Sequence, residues 1–104
     1  MKKETVLQLK SQAAEYYKKA GIMITSEERE KIEVADFGLH DVYVIGLESI
    51  VYMNTERVCA KEMVLLPRQT CPEHMHPPIG SYIGKEETFR CRYGQVYLYV
   101  EGDR

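Results

Sequence analysis

The chain has no apolar run approaching the roughly 20 residues that a membrane-spanning helix needs. Its charged start, Met1-Lys2-Lys3-Glu4, leads into no hydrophobic segment of the secretory kind. It also lacks a surplus of base: 14 Lys and Arg stand against 16 Asp and Glu, a formal net charge of −2. Nucleic-acid binding wants a basic stripe. Here acids and bases are interleaved, as in Glu27-Glu28-Arg29-Glu30-Lys31, which is the pattern of a solvated face. Cysteine is sparse and unpatterned, with Cys59, Cys71 and Cys91 at spacings of 12 and 20. That spacing matches no zinc or redox motif, and an odd count without C-x-x-C fits reduced thiols in a cytoplasmic protein. Repeats and low-complexity segments are missing as well. What remains is ordinary for a globular protein, 44% hydrophobic and 29% charged over 104 residues. Such a length makes one small domain that buries about 65% of its unfolded surface.

Two helices are expected at the front. Val6, Leu9, Ala13, Tyr16, Tyr17 and Ala20 recur at spacings of three and four, which marks a buried stripe on a helix over residues 4–20. Lys18 and Lys19 suit its C-terminal end, and Gly21 supplies the stop. Thr25 with Glu28 three residues later has the spacing of a capping box, which opens a short second helix running to about Lys31. The tyrosine pair is expected to pack against a sheet.

From Ile32 the period changes to two. Asp41 to Ile45, Ser49 to Met53 and Val58 to Leu66 read as strands, the last closed by Pro67, which cannot donate a ladder hydrogen bond. A loop from Gln69 to Gly84 follows, containing Pro72, Pro77, Pro78 and Gly80. Phe89, Cys91 and Tyr93 then alternate with Arg90 and Arg92, and Val96, Leu98 and Val100 alternate with Tyr97 and Tyr99. Gly94 between the two runs marks a hairpin turn. Cys91 reads as a small core residue on the first of these strands, while Cys71 adjoins the loop. The fold class is thus α+β and mainly β: a helical arm over 1–33 and antiparallel sheet over 34–104. The final strand has an apolar face and no successor, and five or six strands fall short of the roughly eight of a small closed barrel. The sheet is expected to be completed by further polypeptide.

The chemistry concentrates in that loop. His74 and His76 stand two apart, and in extended backbone such a pair points to one face. Glu87, eleven positions on, would complete a three-ligand site of nitrogen and oxygen donors suited to Mn, Fe, Ni, Co or Zn. Glu86 would face away if Glu87 faces in, so a slip of register would exchange them. Glu73 reads as a surface or supporting group, and His40 as a solvated turn residue.

The spacing H-x-H, then Glu87, then six residues to Gly94 resembles the first motif of the cupin superfamily, written G-x5-H-x-H-x(3,4)-E-x6-G. The chain departs from it in a longer insert before Glu87. Arg68 also stands where the motif has its first glycine. Within that superfamily, Asp36-Phe37-Gly38-Leu39, Pro72-Glu73-His74-Met75-His76-Pro77-Pro78 and the run from Lys85 to Tyr99 resemble the cupin-type D-lyxose isomerases. The resemblance implies the first part of a jelly-roll barrel with His74, His76 and Glu87 as ligands of a divalent metal, manganese ahead of Zn, Fe, Co or Ni. A fourth ligand from a second motif has no counterpart here. It further implies proton transfer between C1 and C2 of D-lyxose/D-xylulose, and of D-mannose/D-fructose, through an enediol. Lys85, on the same strand face as Glu87, would be the acid/base group. By analogy the molecule is a homodimer or is joined by a complementary C-terminal chain.

Two other readings remain open at this level. Two histidines and a carboxylate also form the facial triad of non-haem Fe(II) oxygenases. Alternatively, a partial cupin could bind metal or a partner without turnover.

Overall fold

The computed structural model describes residues 1–72 and 88–99. Helix α1 spans Lys3–Lys19 and α2 spans Ser26–Glu30. Three strands follow: β1 Glu33–Ala35, β2 Leu47–Asn54 and β3 Cys59–Val64. They form one antiparallel sheet in the order β1-β2-β3. Among the described residues the architecture is therefore a small α+β layer of helix on sheet.

The stripe read from the sequence is the face that α1 buries. Leu9, Ala13, Ala14 and Tyr17 are buried there, and Tyr16 packs beside them. They share one core with Ile32, Val34, Val42, Ile50, Val64 and Leu66. Tyr17 is buried yet polar at its tip, and its hydroxyl donates to the Glu62 carbonyl oxygen at 2.7 Å. Burial first, and then the nearby Glu62 charge, push its phenol well above the ordinary value. Gly21 follows α1 at φ +73°, a left-handed conformation that lets the chain leave the helix. The capping box is complete: Glu28 N–H donates to Thr25 Oγ1 at 3.0 Å, and Thr25 N–H donates to Glu28 Oε1 at 2.9 Å.

The β2–β3 hairpin turns through Thr55 to Val58. Thr55 N–H donates to the Val58 carbonyl at 2.7 Å, and Val58 N–H donates back to Thr55 Oγ1 at 3.0 Å. A bulge between Val51 and Met53 shifts the register of the pair. Arg92 Nη1 donates to Glu62 Oε1, so residue 92 is tied to β3.

Two strand expectations are corrected. Residues 41–45 are a turn, with Val44 and Ile45 N–H both donating to the Asp41 carbonyl at 3.0 and 2.8 Å. Within it Val42 is buried and Ile45 half-buried while Tyr43 and Val44 are exposed, a spacing of three that a period of two cannot produce. Residues 89–93 and 96–99 form no ladder among the described residues, and Phe89, Tyr93, Val96 and Leu98 are exposed. Alternation states which face a strand would bury, but a strand exists only with a paired neighbour. Cys91, expected in the core, is exposed for the same reason. Gly94 does turn the chain there, at φ +78°.

Candidate metal centre and the turn that leads to it

The proposed ligands His74, His76 and Glu87, with Lys85, Glu86 and Glu73, lie outside the described residues. Among the described residues no group of three His, Cys, Asp or Glu side chains could hold a metal ion. His40 is exposed at φ +59°, in the turn after Gly38, consistent with a solvated position. What the structure does define is the polypeptide up to Pro72, in which residues 66–70 are tied down by several hydrogen bonds.

Leu66 to Gln69 is a β-turn closed by Gln69 N–H donating to the Leu66 carbonyl at 2.9 Å. Proline at its second position and a left-handed residue at its third are the signature of a type II turn. That third residue is Arg68, at φ +68°. Glycine is the residue that adopts this conformation without strain. Arg68 therefore holds a backbone conformation that a glycine would favour.

Beyond the turn, Thr70 is clasped from both sides. Its N–H donates to the Val44 carbonyl at 2.7 Å, and its own carbonyl accepts from Gly46 N–H at 2.9 Å. Together these make a parallel bridge between Ile45 and Thr70. Gln69 turns its amide inward. Its Oε1 accepts from Leu66 N–H at 3.0 Å, and its Nε2 donates to the Val42 carbonyl at 2.7 Å and to Glu48 Oε1 at 2.9 Å. Gly46 makes room for this approach: a Cβ there would lie 2.6 Å from the Val42 oxygen, 2.7 Å from the Ala35 oxygen and 2.9 Å from Gln69 Nε2.

Glu48 is fully buried on the inward face of β2, two residues from Ile50, and is paired across the sheet with Val34 and Val64. Burial raises its carboxyl above the ordinary carboxylate range, and the bond from Gln69 opposes this only in part. Its second oxygen, Oε2, is buried without a hydrogen-bond partner among the described residues. The sequence reading passed over Glu48 and Gln69. The signal was present as an acidic residue in phase with Ile50 on a face that should be apolar.

In sequence, the chain is similar to proteins named as isomerases of the sugar D-lyxose. It is 63% identical to the D-lyxose ketol-isomerase of Thermofilum sp. over 100 residues, 96% of this chain and 56% of that protein. It is 60% identical to the D-lyxose/D-mannose isomerase of Thermosediminibacter oceani over its whole length, which covers 58% of that protein. The D-lyxose ketol-isomerase of Cohnella laeviribosi is 58% identical over 90% of this chain and 52% of its own length. The chain thus spans about half the length of the curated relatives it matches. No family model matches it. Among the described residues no helix is long and apolar enough to cross a membrane.

Proposed function

We propose that this chain carries the metal-binding portion of a divalent-metal-dependent aldose–ketose isomerase of the cupin type. It would interconvert D-lyxose and D-xylulose, with D-mannose and D-fructose as a second pair. The observation that carries the proposal is the identity of 58–63% to three proteins named for that sugar chemistry.

By donor chemistry, two imidazoles and a carboxylate suit manganese, and equally Zn, Fe, Co or Ni. His74, His76 and Glu87 would hold the ion, which when bound supplies Lewis-acid polarisation of the sugar's oxygens. Lys85 would move the proton between C1 and C2, a role that contributes about 10²–10⁴-fold when the group is well placed. A cytoplasmic location, and assembly as a homodimer or with a complementary chain, belong to the same proposal.

The test measures bound manganese and ketose formation from D-lyxose together. It is run on the chain alone and with a polypeptide matching the unaligned part of the Thermosediminibacter relative. His76→Ala should lose metal and turnover in parallel, whereas Lys85→Ala should keep the metal and lose turnover. A parent that binds no manganese would remove the metal reading. Unchanged turnover in Lys85→Ala would remove the lysine from the reaction. Dioxygen consumption with iron and no ketose would point to an oxygenase instead.

A further inference from the structure

Three features of different physical origin converge on residues 66–70. Arg68 is held in a backbone region that costs a non-glycine residue about 1–3 kcal/mol, and such residues persist only where the surroundings over-determine them. Gly46 leaves no space for a side chain against two carbonyl oxygens and the Gln69 amide. Glu48 and Gln69 form a buried polar pair in an otherwise apolar layer, with Glu48 Oε2 unmatched among the described residues. For stability alone this last arrangement is poor, since apolar replacement of buried polar or ionic pairs is often neutral or favourable. Hydrogen bonds differ from apolar contact in being directional, so a buried amide that joins three partners fixes the placement of the elements they belong to.

We propose that the Glu48–Gln69 pair is a positioning device that fixes the Leu66–Thr70 turn, and with it the point from which the chain runs to His74 and His76. Neither residue touches substrate. Gln69 joins Leu66, Val42 and Glu48 through one amide, and the bridge at Thr70 carries that placement to within four residues of His74. The inference rests on the reading of His74 and His76 as metal ligands.

The experiment is manganese affinity, measured by titration calorimetry on the purified chain, with circular dichroism recorded on the same samples. Gln69→Leu removes the amide and keeps the bulk. Glu48→Asp keeps the carboxylate but withdraws it by one methylene, which covers the case in which Gln69→Leu does not fold. Both should bind manganese about 10- to 100-fold more weakly than the parent, the range typical of groups that orient metal ligands. Glu48→Gln still offers an oxygen to Gln69 Nε2 and should bind like the parent. Folded variants that bind as tightly as the parent would overturn the positioning role and leave the metal reading intact. A parent that binds no manganese would overturn the metal reading and this role with it. Loss in Glu48→Gln equal to that in Glu48→Asp would also overturn it, because the shared oxygen would then be irrelevant.

Discussion

Gly46→Ala tests the packing of the turn without removing any polar group. The added Cβ would meet the Val42 and Ala35 carbonyl oxygens at 2.6 and 2.7 Å, both backbone atoms, and Gln69 Nε2 at 2.9 Å. Gly46 has no left-handed φ, so the penalty comes from contact rather than from backbone preference. Relief requires residue 35 or residue 42 to move, and both are fixed: Ala35 in β1, and Val42 in the core with its carbonyl bonded to Gln69. Overpacking of this kind costs about 1–3 kcal/mol. In a domain of this size each kcal/mol lowers Tm by about 4–8 °C, so the expected fall is roughly 4–24 °C in a thermal melt followed by circular dichroism. Gln69→Ala removes only the third contact and should not rescue the variant. A Tm unchanged from the parent, or full rescue by Gln69→Ala, would refute the reasoning, because the obstacle would then not be the two carbonyls.

Two other outcomes follow from the same region. Glu48 has its carboxyl raised by burial from an ordinary value of 4.5, so the folded chain holds that proton more tightly than the unfolded chain does. The stability it contributes is fully present below that ordinary value and is lost as pH rises through the folded one. Glu48→Gln cannot titrate, so its Tm relative to the parent should climb between acid and mildly alkaline pH, and a difference flat with pH would contradict this. At Arg68, glycine should stabilise by about 0.5–1 kcal/mol in urea unfolding and valine should destabilise by about 1 kcal/mol or more, since a β-branched residue is strained at positive φ. The reverse order would show that the turn is not held left-handed.

The sequence was most readable where structure is local. The α1 stripe needs only a period of 3.6, and the Thr25–Glu28 box needs only two residues three apart, and both are present as expected. β2 and β3 also follow from their β-branched and aromatic content, with ends displaced by a residue or two. Legibility failed where a neighbour decides. Val42 and Ile45 turn inward at a spacing of three because Asp41 caps a tight turn with its carbonyl, and nothing in the residue types announces this. The alternation over 89–99 describes a potential face and not its partner. At the candidate site, His74, His76 and Glu87 were visible as donor types at a recognisable spacing. The Glu48–Gln69 support was hidden because the two residues are 21 apart and meet only through the fold.

The parallel bridge at Ile45 and Thr70 has a kinetic corollary. Two segments can run side by side in the same direction only after the chain has gone out along β2 and returned along β3, so this clasp closes a 25-residue excursion. Closure of that length is entropically unfavourable until the hairpin has brought the ends near each other. The turn ahead of the histidines should therefore dock late in folding, with the Thr70 amide among the last to gain protection from exchange in a refolding pulse.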